Sequence, residues 1–344
     1  MWHLLTDKTK APLYAKEFWD KTTCRFHPKK QTKMNVPSNL QKTLAFQYLT
    51  KNVFEGYLTA EPSKLVGLHN KLFNYILNVP GKTFDQKDWY QYKMGNTKFQ
   101  EYSIFDDSSD EMKAIKHIFN YGKYISGNTN MSYFVAKLLD TNTCTYCNRQ
   151  YTLTVIGRKE EKLIRPEFDH WFAQSLYPDL ALSFYNLIPS CSFCNSILKN
   201  DVETELDSHI HPYLDPDAGF SFTYRNLPGN RYAVSCRVNS KKDVVYRQRV
   251  RNTLQLFRIQ EVYEAHSELE LKDLIDLATA NPGDYITTLT NNVMAASGLN
   301  EEDVMRMLFG IESQQDKYLK RPFSKFKTDI IAKLHRTIPK KGRP

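Results

Sequence analysis

Cys144-Thr145-Tyr146-Cys147 and Cys191-Ser192-Phe193-Cys194-Asn195 bracket the stretch of sequence that decides the fold. A two-residue gap between cysteines folds a knuckle that aims both thiolates at one tetrahedral ion. Two such knuckles supply four soft ligands and leave no open position, which describes a structural zinc site rather than a catalytic one. Redox activity or chance pairing is the competing reading. Cys24 and Cys236 have no such neighbour; Cys24-Arg25-Phe26-His27 is half a zinc site without its other half.

Reading the pairs as metal ligands presumes a reducing compartment. No apolar run approaches the roughly 18–20 residues needed to span a bilayer. Met1–Lys8 has no apolar stretch of the secretory kind. Both predict a cytoplasmic protein. At 344 residues, with 41% hydrophobic and 13% aromatic side chains, wholesale disorder and collagen-like repetition are excluded. The formal charge of +9 is unevenly placed. Residues 1–143 hold 20 basic and 13 acidic side chains, residues 144–211 hold 6 and 9, and residues 212–344 hold 21 and 16. Basic flanks around an acidic centre suit a protein that attracts phosphates at its edges and holds a cation in its middle. An ordinary solvated surface of uneven composition fits the same numbers.

Outside the knuckles the chain reads as an α+β protein. Ser38 predicts a helix running through Leu40, Leu44, Phe46, Leu49 and Phe54, and Ser63 a second through Leu65, Leu68, Leu72, Phe73 and Ile76. Ser109 opens a third over Met112, Ile115 and Ile118, and a fourth covers Met131–Leu139. Lys82–Asp107 has no assignable period. Strand signals follow at Tyr151–Ile156 and Leu163–Phe168, joined across Gly157–Glu161, and again at Phe220–Tyr224 and Arg231–Val238, joined across Pro228-Gly229. Helical periodicity resumes near Val244, broken at Asn281-Pro282-Gly283 and near Gly298, and Pro339–Pro344 is expected to fray. Three parts follow: a helical region over 1–140, a core with the knuckles and following strands over 141–240, and a helical region over 241–344.

Between and beside the knuckles stand Phe168-Asp169-His170-Trp171, then Phe184-Tyr185-Asn186-Leu187-Ile188-Pro189-Ser190, then Asn195 and Lys199. The order CxxC, Asp-His, Asn-Leu, CxxC-Asn, Lys resembles the HNH endonuclease family, in the subset whose ββα-metal fold is braced by a four-cysteine zinc. That resemblance covers about residues 141–215. It implies a nuclease core in which the 151–168 hairpin supplies the two strands and the second knuckle leads into the α element. It further implies His170 as general base, Asp169 and Asn195 as ligands of a catalytic Mg²⁺ or Mn²⁺, Asn186 as the brace of the loop that holds the histidine, and Cys144, Cys147, Cys191 and Cys194 as ligands of structural Zn²⁺. Neighbours in an ideal strand point to opposite faces, so Asp169 and His170 must lie at a strand end or turn to share a site. Ala173 stands where many members carry proline, a departure in loop shape rather than chemistry.

Taken singly, His170 reads equally as a satisfied structural histidine, Asn195 as a helix cap and Asn186 as a turn residue. Lys199 is a phosphate contact or a solvated lysine, and His209-Ile210-His211 a polar turn or a further ligand pair. Cys147-Asn148-Arg149-Gln150-Tyr151 and Asn186–Cys191 resemble the HNH proteins of bacterial defence islands, in particular the HNH component of Septu-type antiphage systems. That implies nucleic acid as substrate and an ABC-type ATPase as partner. The competing function is a zinc-knuckle module that binds nucleic acid, or another protein, without cutting.

Overall fold

Apolar side chains at three- and four-residue spacing, interrupted by residues that cap, make the first third helical. The computed structural model describes residues 3–4, 8–21, 37–215, 217–280 and 299–337. Within them, α1 spans Lys10–Lys21, α2 Leu44–Tyr48, α3 Lys51–Thr59, α4 Pro62–Leu77, α5 Gln86–Lys93, α6 Asp110–Ile118 and α7 Thr129–Leu139. The Met112 N–H donates to the Ser109 hydroxyl at 3.1 Å, the cap expected there. Such a cap contributes about 1 kcal/mol.

The helix predicted from Ser38 through Phe54 is instead broken into a 3₁₀ turn at Leu40–Lys42, then α2 and α3. Thr43 and Thr50 cause the breaks, each turning its hydroxyl onto the next helix to accept from Phe46 and Val53 N–H. α4 begins one residue before Ser63, with Pro62 in the first turn, where its missing N–H costs nothing. Lys82–Asp107 holds α5 and a 3₁₀ segment, Thr97–Phe105. Its order comes from aromatic packing of Phe84, Trp89, Tyr102 and Phe105, which leaves no helical period in the sequence.

Three two-stranded antiparallel sheets follow: β1 (Val155–Ile156) with β2 (Lys162–Ile164), β3 (Glu167–His170) with β4 (Leu187–Ser190), and β5 (Phe220–Leu227) with β6 (Arg231–Val238). The predicted 151–168 hairpin is thus corrected in one respect. Its second arm divides at Arg165-Pro166, where proline cannot donate to a ladder. The part carrying Asp169 pairs with β4 rather than with β1. In that register Asp169 faces Ile188 and His170 faces Leu187. All four residues of β4 are buried. Pro189 disguises β4 as a loop in the sequence, yet its carbonyl accepts from Thr145 N–H at 3.1 Å and ties the strand to the first knuckle. The second knuckle continues into a π-helical turn, Phe193–Lys199.

The last third comprises α8 (Val244–Leu256), α9 (Ile259–Glu264), α10 (Lys272–Ala280), α11 (Glu301–Phe309) and α12 (Ser324–Thr337). The predicted breaks at Asn281-Pro282-Gly283 and Gly298, and the Pro339–Pro344 tail, lie outside the described residues. α12 covers β5, with the Phe222 and Phe326 rings 5.2 Å apart and Phe222 N–H donating to Asp329. Buried apolar residues from all three parts form one contiguous cluster, from Leu4 to Leu334. Among the described residues no helix is long and apolar enough to cross a membrane.

Candidate functional site

The two knuckles meet. Cys144, Cys147, Cys191 and Cys194 are all buried, and their sulfurs lie within 4.8 Å of one another. They are the one group of three or more His, Cys, Asp or Glu side chains with metal-site spacing among the described residues. Four thiols so close, sealed from water and unpaired as disulfides, fit one tetrahedral zinc ion and nothing with an open position. The first knuckle is also fastened to the last third. Tyr263 hydroxyl donates to the Cys147 carbonyl at 2.6 Å, and the Asn148 amide donates to the Tyr318 and Arg321 carbonyls.

β3 leaves this brace and ends at His170, the strand-end position that Asp169 and His170 require. Period-two alternation sends their side chains to different partners. Asp169 is 3% exposed. One carboxylate oxygen accepts from the Tyr146 hydroxyl at 2.5 Å, and the other lies 3.4 Å from the Lys199 ammonium. Burial pushes the Asp169 carboxyl above its usual range, against the pull of Lys199 and then Tyr146. Lys199 is itself 1% exposed and also donates to the His170 carbonyl at 2.7 Å. It is therefore neither a solvated lysine nor a ready phosphate contact, but the internal counter-charge of β3.

The half-buried His170 imidazole points toward the N-terminal region, edge-on to the Tyr121 ring at 4.6 Å. Its Nε2 lies 3.0 Å from the Ala181 carbonyl. A carbonyl only accepts, so Nε2 carries the proton and Nδ1 keeps the lone pair. Burial, with the Lys199 charge adding, pushes the imidazole down to about 4, so the ring is neutral at pH 7.

Asn186 is fully buried. Its amide oxygen accepts from Phe172 N–H at 2.7 Å, and its amide nitrogen donates to the Phe172 and Leu180 carbonyls at 3.2 and 3.0 Å. It closes the 171–186 loop from within, one residue before the carbonyl that receives His170. Asn195, on the π-helical turn, donates its amide to Glu167 at 2.8 Å.

The donor types of Asp169, Glu167 and Asn195 suit a hard divalent cation. Two of them sit on alternate residues of β3 and so on one face. Their present partners differ, however: Asp169 is matched by Lys199 and Tyr146, and Asn195 by Glu167. A cation at Asp169 would share that carboxylate with Lys199 and Tyr146.

The remaining candidates resolve as structural. The His211 ring is buried, accepts from Tyr213 N–H at 3.2 Å and packs on Trp171 at 4.4 Å, while His209 lies 2.8 Å from the Ser208 hydroxyl. Cys236 is half-buried on β6, and Cys24 lies outside the described residues.

Sequence reasoning did not single out Tyr146, Glu167, Tyr121 or Asp179. For Tyr146 the signal was its place inside the knuckle, whose geometry fixes its direction. For Glu167 the signal available was strand period, two residues before Asp169. Tyr121 and Asp179 carry no local signal.

A strand pair beside four clustered, buried cysteines, presenting a neutral, tautomer-fixed histidine, defines the class of site. Two curated proteins match parts of the chain. Protein ea31 of Escherichia phage lambda is 29% identical over 116 residues, 31% of this chain and 38% of that protein. Septu protein PtuB of Bacillus thuringiensis is 21% identical over 169 residues, 47% of this chain and 62% of that protein. Each match therefore covers less than two thirds of the relative. No family model and no solved structure matches.

Proposed function

We propose that the chain is a metal-dependent HNH endonuclease that hydrolyses nucleic-acid phosphodiester bonds, acting in a Septu-like antiphage system. The observation that carries the reading is His170, neutral and held by the Ala181 carbonyl with Nδ1 free to take a proton from water. It stands inside the four-cysteine frame and beside Asp169. Asn186 fixes the loop that supplies the carbonyl, and Lys199 anchors the strand end through the His170 backbone. Asp169 and Asn195 would hold Mg²⁺ or Mn²⁺. When bound, that ion stabilises charge on the phosphate and the leaving oxygen. An ABC-type ATPase is the proposed partner, which the family resemblance of the sequence implies, with the helical regions 1–140 and 241–344 contacting it or the nucleic acid.

The engagement of Asp169 by Lys199 and Tyr146 favours a second reading, a zinc module that binds nucleic acid or protein without cutting. One comparison separates the two. Wild type and His170→Ala are assayed on plasmid, linear DNA and RNA, with Mg²⁺ or Mn²⁺ and with and without the product of the adjacent gene. Cleavage by wild type that His170→Ala abolishes, with zinc content and nucleic-acid binding retained, supports the nuclease. Binding without cleavage under every condition supports the module.

A further inference from the structure

We propose that the buried pair His69–Asp179 is a positioning device through which the N-terminal helical region sets the tautomer of His170; the proposal rests on the nuclease reading for its catalytic consequence only. His69 lies on α4 and Asp179 in the short turn Pro178–Leu180, and neither is exposed. Nδ1 of His69 meets Oδ1 of Asp179 at 2.7 Å, and Nε2 meets the Gln86 amide oxygen at 3.1 Å. Rings of Phe73, Phe84 and Tyr177 surround the imidazole at centroid distances of 4.1, 5.4 and 4.8 Å. Water is kept from the pair, so its geometry is set by the fold rather than shared with solvent.

The turn that Asp179 anchors carries two carbonyls on its next two residues. The Leu180 carbonyl accepts from the Asn186 amide at 3.0 Å and from Ser183 N–H at 3.1 Å. The Ala181 carbonyl receives His170 Nε2 at 3.0 Å. A hydrogen bond weakens steeply as its angle closes, so a tilt of this turn releases the proton on Nε2 and lets the ring exchange tautomers. The molecules that then carry the proton on Nδ1 present N–H instead of a lone pair there. A displacement of about 1 Å around a catalytic group can cost on the order of 10²-fold. Two hydrogen bonds and the 179–181 backbone between them therefore link α4 to the imidazole: His69 to Asp179, and the Ala181 carbonyl to His170. Ordinary packing would need the aromatic shell but not the ionisable pair within it.

The test uses the full chain, zinc-loaded and labelled with ¹⁵N-histidine, in long-range ¹H–¹⁵N spectra at fixed pH. His170 is assigned by its loss in His170→Asn. The perturbing variants are the isosteric Asp179→Asn and the partner change His69→Gln. Phe73→Leu serves as a control that loosens the same aromatic shell while sparing the pair. Zinc content and far-ultraviolet circular dichroism check the fold of each. Expected is a single Nε2–H tautomer for His170 in wild type and Phe73→Leu, and a mixed one in Asp179→Asn and His69→Gln. In those two variants kcat falls about tenfold to a hundredfold with KM unchanged. A single Nε2–H tautomer persisting in either folded variant overturns the proposal, as does an equal change in Phe73→Leu. If wild type never cuts, the nuclease reading fails, yet the tautomer spectra still decide the positioning role.

Discussion

Replacing Asn186 by alanine and by aspartate tests how the 171–186 loop is held, independently of any activity. The side chain is fully buried and makes three hydrogen bonds, one accepted from Phe172 N–H and two donated to the Phe172 and Leu180 carbonyls. Alanine removes all three. The Leu180 carbonyl keeps Ser183 N–H as a partner, so the groups stranded are the N–H and carbonyl of Phe172. At about 1–3 kcal/mol for each buried unpaired group, Asn186→Ala is expected to lose roughly 2–6 kcal/mol. Aspartate has nearly the same shape and retains the bond from Phe172 N–H. It also sets an oxygen where the amide nitrogen stood, facing two carbonyl oxygens. Its folded-state pKa is therefore raised above the unfolded value of about 3.9, and each unit of that shift costs about 1.4 kcal/mol at neutral pH.

The sign is distinctive: the penalty is fully present above the raised folded pKa. It shrinks as pH falls through that value, because protonation restores one donor. Urea unfolding followed by tryptophan fluorescence, with zinc constant, should rank wild type over Ala over Asp at pH 7.5. It should also narrow the gap between Asp and wild type by pH 5.5. An Asn186→Asp protein within about 0.5 kcal/mol of wild type at pH 7.5 would refute the hydrogen-bond assignment, and so would a gap that does not move with pH.

Two further outcomes follow from buried groups. Mass spectrometry should find one zinc per chain. Cys194→Ala should lose it together with the thermal transition of the core, since structural zinc contributes about 10–16 kcal/mol against a net stability of about 5–15; a metal-free chain with an unchanged transition contradicts the site. Burial holds His211 down to about 3, below its unfolded value near 6.5, so the stability tied to the neutral ring is present above pH 6.5 and lost on acidification. Between pH 7.5 and 5 this amounts to about 2 kcal/mol at 1.4 kcal/mol per unit. His211→Phe, which takes up no proton, should lose that much less over the same interval; an identical pH slope in the variant assigns the acid sensitivity elsewhere.

What the sequence discloses is what local geometry controls. CxxC is a local knuckle, and all four thiols converge as its spacing predicts. The 220–238 hairpin follows from Pro228-Gly229 between β-rich runs, and Arg231–Val238 is a strand over its full predicted span. Ser109 caps α6 because capping needs only three residues. What stays hidden depends on distant partners. β4 is a strand because it is buried between β3 and the first knuckle, a tertiary cause that overrides Pro189. Lys199 has the sequence of a surface lysine and the environment of a buried one, because Asp169 and the His170 carbonyl receive it. Asn186 shows both sides. Its place in the motif order implies a brace through family resemblance, whereas the partners it hydrogen-bonds were not legible, since Phe172 and Leu180 carry no polar side chain to suggest them.

The same pairing changes what the charge distribution means. Residues 144–211 carry 9 acidic side chains, but Asp169 and Asp179 are internal and matched by Lys199 and His69. Much of the remaining acidity falls in Asp201, Glu203, Glu205 and Asp207. Burial raises the pKa of both glutamates there, and neighbouring carboxylates raise that of Glu205 further. That strip repels phosphate instead of holding it. Around His170 itself the neighbours are of another kind: Tyr121 meets the imidazole edge-on, and Arg165 lies over the Phe168 ring. The acidic middle is thus two things with different physics: an internal carboxylate whose charge is already met, and an outer strip whose carboxylates face one another and solvent.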